Sequence, residues 1–390
     1  MHLDPIMPYL VSAILMILLL GLVLRSVRQP YVIGYLIAGI IIGPHGIALV
    51  EDEVLLSRLG AIGVVLLLFF IGMEVSPKKL IDNWKVAVLG TLLQIVISVG
   101  CVWPLGVWLE WPIERIVLIG FVISLSSTAV VLKLLEDWKE LDTRVGQNVL
   151  VITLAQDLAV IPMLIILSMM GGDQSAAGNI WLQLSGAAVI AIIVGYIAVK
   201  ETIHLPLSRL LANDHELQIF AALSICLGLS LITGLAGLST ALGAFVAGML
   251  VGAAKETRWI HHSLESFRVI FVALFFVSIG MLVDISFIQT HWAQVTALVL
   301  LVIITNTFIN GAILRVLGEN WRDSLYAGTL LSQIGEFSFV LAAVGIQAQI
   351  ITNYGYQMTV AVISISLLIS PLWIMVIKGI LRRGTNLPTV

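Results

Sequence analysis

Gly34-Tyr35-Leu36-Ile37-Ala38-Gly39 runs on to Gly43, and Gly243-Ala244-Phe245-Val246-Ala247-Gly248 runs on to Gly252; both carry glycines as G-x4-G-x3-G, 209 residues apart. A second echo keeps nearly the same offset. Leu68-Phe69-Phe70-Ile71-Gly72-Met73 returns as Leu274-Phe275-Phe276-Val277-Ser278-Ile279-Gly280-Met281, with the Gly-Met pairs 208 residues apart. One glycine match would be chance in an apolar sequence. Two matches at almost one offset point to an internal repeat.

The sequence around these stretches is that of a membrane protein. Its 390 residues are 59% hydrophobic and 11% charged, with a mean hydropathy of +1.08. A soluble domain carries roughly 25% charged residues, so most of this surface faces lipid. A net charge of −3 gives no electrostatic basis for binding nucleic acid. The opening MHLDPIMPYL has no basic stretch before its apolar run, which is therefore read as a retained span rather than a cleaved signal. Cys101 and Cys226 both sit in apolar runs and read as helix-packing residues.

A span takes about 20 mostly apolar residues. On that measure there are thirteen, near 6–24, 31–50, 58–75, 86–109, 114–135, 146–170, 179–199, 216–234, 237–253, 267–284, 293–317, 323–346 and 356–379. Basic residues test the count, because cytoplasmic loops hold most Lys and Arg. The segments after the odd-numbered spans hold 18 of the 20 basic residues, leaving Arg58 and Arg115 on the other side. This alternation predicts an outside N-terminus and a cytoplasmic C-terminus, in a multi-pass protein of the inner (plasma) membrane.

Seven spans separate the equivalent segments. Seven is odd, so the second copy enters the membrane the other way up. The prediction is one transmembrane unit over 1–390: a first inverted repeat at 1–170, a linking helix and loop at 171–212, and a second repeat at 213–380. Such repeats suit a secondary transporter, whose halves rock between opposite openings. A duplication kept only for packing is the alternative.

An ionisable group at the bilayer centre costs about 2.5–3.5 kcal/mol on insertion scales, so it calls for a reason. Asp157 lies in Val151-Ile152-Thr153-Leu154-Ala155-Gln156-Asp157-Leu158-Ala159-Val160-Ile161-Pro162, mid-span, with no basic residue within ten positions. It reads as an ion or proton site, the alternative being an acid held neutral or hydrogen-bonded to another helix. Pro162 removes the amide that would bond the Leu158 carbonyl, and so loosens the turn beyond the acid.

Two further spans carry polar interruptions, Ser124-Leu125-Ser126-Ser127-Thr128 and Ser332-Gln333-Ile334-Gly335-Glu336-Phe337-Ser338. Adding the offset of 208 to Ser127 gives Gly335, so the interruptions are equivalent points of the two copies. Each could be an intact helix whose serines bond back to preceding carbonyls. Their equivalence favours two broken helices, which aim carbonyls and half-helix ends at an ion. Glu336 is a second buried acid: a ligand, a proton carrier, or a cap for the opposite broken helix. Glu74 and Asp284 close spans three and ten and read as interfacial. His204, His215, His261 and His262 fall on the cytoplasmic side, where pH sensing or plain solvation fits.

These residues resemble the Kef-type, glutathione-gated potassium-efflux branch of the monovalent cation/proton antiporters. The matching stretches are Gly34–Gly39 with Gly43-Pro44, Leu68–Glu74, Ser124–Ala129, Gln156-Asp157, Leu274–Phe276 with Gly280-Met281, and Gly335–Phe339. The resemblance implies an all-α, NhaA/NapA-like fold with thirteen helices, two crossed broken helices in a core domain, and a dimerisation domain that makes a homodimer. It places the ion-binding acid at Asp157, preceded by the Gln156 typical of potassium/proton members. Two departures stand out. The position where many relatives carry a Lys is Asn306, and the chain stops about ten residues after its last span. The nucleotide-binding regulatory domain of Kef-type proteins is thus not expected in this chain.

The expected function is exchange of a monovalent cation, K+ before Na+, for protons. Burial of a carboxyl favours its neutral form and a bound cation its ionised form, so the two compete. With a single core acid and a neutral Gln156, exchange would be one for one and electroneutral. Gln156, Thr128 and carbonyls near Ser126 and Ser127 would supply the remaining oxygens, with Ser332, Gly335, Glu336 and Ser338 supporting the second broken helix. A gated potassium channel is the alternative of another class, although no filter-like TVGYG run occurs. A sodium-coupled carrier of an organic anion would want a midplane Arg or Lys. The sequence shows no nucleophile elbow, metal-ligand cluster or phosphate loop, so neither enzyme chemistry nor a cofactor beyond the transported ions is expected.

Overall fold

The computed structural model describes residues 7–26, 31–49, 53–74, 85–171, 180–200, 214–236, 240–254 and 260–383. Among them the chain forms sixteen α-helices and one π-helical turn. The first half holds α1 (Met7–Ser26), α2 (Tyr31–Ile42), α3 (Glu53–Glu74), the π turn Lys85–Gly90 leading into α4 (Thr91–Trp108), α5 (Ile113–Ser124), α6 (Thr128–Asp137) and α7 (Arg144–Met170). Then come α8 (Ile180–Lys200), α9 (His215–Leu235), α10 (Thr240–Ala253), α11 (Ile260–Met281), the short α12 (Ile285–Thr290), α13 (Trp292–Val316), α14 (Trp321–Leu330), α15 (Phe337–Gln347) and α16 (Asn353–Arg383). Five stretches are long and apolar enough to cross a membrane, judged by length and composition among the described residues, and seven shorter apolar helices accompany them.

The chain divides into two compact units. One comprises 1–50, 83–172 and 280–390, and the other 51–82 and 173–279. The first holds both polar interruptions and Asp157. His204 and residues 172–179 and 201–212 of the linking segment at 171–212 lie outside the described residues, while its helix is α8. His215, His261 and His262 fall in α9 and α11, and Cys101 and Cys226 are free thiols.

Helix α4 exposes large apolar side chains and buries amide and hydroxyl ones, as a lipid-facing helix does. Leu92, Val96, Val107 and Trp108 of α4 are exposed, while Gln94 and Ser98 of the same helix are fully buried. Three of the exposed tryptophans, Trp108, Trp292 and Trp321, stand at helix ends, where an amphipathic ring meets the lipid headgroups. Local signals set those ends. The Thr143 hydroxyl accepts the Gly146 amide at 3.0 Å, and the Asn320 side chain accepts the Asp323 amide at 2.9 Å, capping α7 and α14. Asp284 accepts the Phe287 amide at 2.9 Å to start α12 and lies 3.8 Å from His45, a structural use of that interfacial acid. Lys378 near the end of α16 bonds Glu140 at 2.8 Å, and the Tyr326 hydroxyl donates to the same carboxylate at 2.6 Å.

In lipid, helices associate through close backbone approach rather than hydrophobic exclusion, and the glycines of the repeat supply it. In the first unit, a Cβ on Gly280 would strike the Leu36 carbonyl of α2 and stand 2.9 Å from Gly39 Cα. In the second, a Cβ on Gly248 of α10 would strike the Phe69 carbonyl of α3 and stand 3.0 Å from Gly72 Cα. The offsets 209 and 208 carry Gly39 and Gly72 onto Gly248 and Gly280. Thus each glycine-spaced helix packs on the Gly-Met helix of the other sequence copy. Gly248→Val puts a branched side chain against backbone and is expected to cost about 2 kcal/mol or more, read as a lower thermal midpoint in detergent. An unchanged midpoint would show that the helices are not held this close.

Candidate functional site: two interrupted helices and a buried acid

Both interruptions are breaks in the helical backbone. α5 ends at Ser124, Leu125 turns extended (φ −88°, ψ 131°), and α6 begins at Thr128. α14 ends at Leu330 and α15 begins at Phe337. Serine hydroxyls hold the first break open by competing for backbone groups. Ser124 donates to the Phe121 carbonyl at 2.8 Å, and Ser127 accepts the Val130 amide at 3.3 Å, as an N-cap does.

The two breaks meet. The Gly335 amide donates to the Leu125 carbonyl at 2.8 Å, and the Ser126 hydroxyl donates to the Leu331 carbonyl at 2.8 Å. The Ser338 hydroxyl donates to the Val122 carbonyl at 2.7 Å. Glycine at 335 is required by this approach, since a Cβ would lie 2.6 Å from the Ser126 carbonyl oxygen. Two segments without internal helical hydrogen bonds therefore satisfy one another at membrane depth, where an unpaired backbone group costs several kcal/mol.

Asp157 lies on α7, which runs unbroken through Pro162; the loosened turn does not break the helix. It is buried, and the Thr128 hydroxyl donates to its Oδ2 at 2.9 Å. Thr128 is the first residue of α6, so the carboxyl stands beside the positive end of a half-helix. Glu336 is also buried. It occupies the N-cap position of its own half-helix, α15, without a side-chain capping bond.

Gln156 faces the first break. Its Oε1 accepts the Ser126 amide at 3.0 Å, and its Nε2 donates to the Ser124 carbonyl at 3.2 Å and to Gln94 Oε1. Its amide thus bridges the two edges of the gap, using the groups that a cation ligand would offer. The second break has a counterpart in Ser366 of α16, whose hydroxyl accepts the Ile334 amide at 3.2 Å. Asn306 of α13 also reaches the crossing. Its Nδ2 donates to the Ile123 carbonyl at 2.8 Å and to the Ser332 carbonyl at 3.4 Å.

Sequence reasoning misses Gln94, Asn310 and Ser366. The signal that could find them is a lone amide or hydroxyl in an apolar span, with Asn306 and Asn310 one helical turn apart.

A buried carboxyl thus stands beside a half-helix N-terminus where two broken helices meet, and discontinuous helices of this kind line the substrate and ion sites of many secondary transporters. The transmembrane sodium/hydrogen exchanger family matches residues 11–377, nearly the whole chain. The chain belongs to that family. It is 33% identical to the iron transporter MagA of Paramagnetospirillum magneticum, over 97% of this chain and 87% of that one. It is 32% identical to K(+) efflux antiporter 5 of Arabidopsis thaliana, over 94% of this chain. It is also 30% identical to a glutathione-regulated potassium-efflux system protein of Haemophilus influenzae, over 90% of this chain. The chain spans 66% and 57% of these two potassium-efflux relatives. Among solved structures, the sodium proton antiporter MjNhaP1 of Methanocaldococcus jannaschii shares the fold, with a TM-score of 0.70 at 15% identity, over 97% of this chain and 98% of that one. This membership makes the chain a multi-pass membrane transport protein of the cation/proton antiporter superfamily, in agreement with the Kef-type resemblance.

Proposed function

We propose that this chain exchanges K+ for H+ by alternating access at Asp157, one for one and without net charge movement. The observation that carries the reading is Asp157 itself, a buried carboxyl bonded to Thr128 at the start of a half-helix where two broken helices meet. A proton and a cation compete for this group, because each neutralises it. Either occupied form is neutral and crosses between the openings, whereas the bare carboxylate pays for desolvation. Glu336 keeps one charge state through the cycle, so a single proton moves per cation. The similarity to potassium-efflux antiporters supports K+ over Na+, and Na+ is the second candidate.

Thirteen spans, two inverted six-helix repeats, an inner-membrane location with the N-terminus outside, and a homodimer complete the proposal. The glycine contacts related by the repeat offset support the duplication. Thr128 serves as a direct ligand, with Ser126 and Ser127 near it. Gln156 acts by holding the break open. Ser332, Gly335, Glu336 and Ser338 support the second break.

Similarity to an iron transporter raises a second reading. The donors around Asp157 are carboxyl and hydroxyl oxygens, which suit a hard cation. No group of three His, Cys, Asp or Glu residues able to hold a metal ion occurs among the described residues.

The test is a cation series in proteoliposomes, with K+, Na+, Li+ and Fe2+, read by an internal pH dye with and without an ionophore that collapses the potential. K+ should drive saturable proton movement in the opposite direction, unchanged by the ionophore. Proton movement driven by Fe2+ alone would support the iron reading. Rapid K+ flux without protons would support a channel.

A further inference from the structure

The meeting of the breaks brings five backbone carbonyls together at membrane depth, those of Ile123, Ser124, Leu125, Leu331 and Ser332. Carbonyls at the C-terminal ends of half-helices carry partial negative charge and are good neutral ligands for alkali cations. Here each already has a donor. Asn306 Nδ2 serves Ile123 and Ser332, and Gln156 Nε2 serves Ser124 at 3.2 Å. The Gly335 amide serves Leu125 at 2.8 Å. The Ser126 hydroxyl at 2.8 Å and Asn310 Nδ2 at 3.4 Å serve Leu331.

Asn306 is the member that joins both broken helices through one nitrogen. It is fully buried, and its backbone carbonyl oxygen accepts Asn310 Nδ2 at 2.9 Å. Neither asparagine carries charge. The negative ends of two half-helices are thus answered by neutral amides, and two carbonyls able to ligate a cation are kept occupied where the breaks cross.

We propose that Asn306 is a positioning residue that sets cation preference, by keeping the carbonyl oxygens of Ile123 and Ser332 out of the coordination shell at Asp157. This rests on the exchange reading above. With those oxygens tied up, the ion meets the carboxylate and hydroxyl oxygens, and is held loosely enough to leave on either side. With them released, the shell gains carbonyl ligands, holds the ion more tightly and ranks ions differently.

The experiment uses the full chain in proteoliposomes and measures apparent KM and maximal rate for Li+, Na+, K+ and Rb+. Asn306→Leu keeps the approximate shape and removes both donated bonds. It is expected to lower KM for the preferred cation about tenfold, the scale of one buried carbonyl released from its donor, to lower the maximal rate, and to change the order of preference. Asn306→Gln retains the donor amide at a shifted position and should fall between. If the leucine variant does not fold, the glutamine variant decides the matter. Folded variants with unchanged KM and order would overturn the inference, as would a raised KM with the order unchanged, since a merely structural role predicts that. Asp157→Asn is run alongside. Residual exchange in that variant would overturn the exchange reading itself, whatever the Asn306 series showed.

Discussion

Asp157→Asn is expected to reduce cation-driven proton movement to the level of empty liposomes while the protein stays folded. The substitution keeps shape and most of the local bonding, because an amide oxygen can still accept the Thr128 hydroxyl that now donates to Oδ2 at 2.9 Å. What it removes is the ability to ionise. An amide can neither take up a proton reversibly nor neutralise a cation, so both halves of the exchange fail together. Stability should change little or rise slightly, since a neutral amide is cheaper to bury than a group that must charge. The paired measurements are exchange in proteoliposomes and the thermal midpoint in detergent. A variant that still exchanged would place the coupling elsewhere, Glu336 being the first candidate. A variant that unfolded would show that the carboxyl is structural.

Gly335→Ala is expected to be strongly damaging, because the added methyl meets the opposite break at backbone. The new Cβ would stand 2.6 Å from the Ser126 carbonyl oxygen, 2.7 Å from its carbon and 3.1 Å from the Ser127 nitrogen. All three are backbone atoms of the opposite break, so no side chain can swing away. Relief requires the breaks to separate, which strains the Gly335–Leu125 bond of 2.8 Å. A cost of about 3 kcal/mol follows from overpacking and a lost buried bond together, with exchange lost in parallel. Gly100→Ala is the control. It adds the same methyl to α4, where nothing lies within 4 Å, and should be neutral or stabilising by up to about 1 kcal/mol through helix propensity. Equal midpoints for the two variants would contradict the close crossing.

The breaks and the acid are legible in the sequence because each violates what a spanning helix tolerates. An aspartate without a nearby cation, serines in a row, and glycine beside glutamate in an apolar run are costly at membrane depth. The repeat offset of 208 ties Ser127 to Gly335 by position alone. The amide clamps are harder to read. Gln94, Asn306 and Asn310 bond neighbouring helices through one rotational setting of each helix, and apolar residues on every face leave no hydrophobic stripe to fix that setting. Gln156 reads as a cation ligand for the same reason, since its neighbour in sequence is the acid while its bonds run to the break. The π turn at Lys85–Gly90 leaves no trace in hydropathy, which reports transfer energy and not hydrogen-bond register. Pro162 points to a loosened turn, and α7 absorbs it without breaking.

The glycine contacts also constrain the order of assembly during synthesis. α2 has emerged by residue 42, but the glycine it packs against is residue 280. α3 has likewise left the ribosome long before Gly248 follows. At roughly 5–20 residues per second, the wait is on the order of ten seconds or more. During it these grooved helices sit in the bilayer with lipid where a backbone will later lie. Insertion and docking are therefore separate stages for this chain, and its early helices must persist without these partners until the late ones arrive.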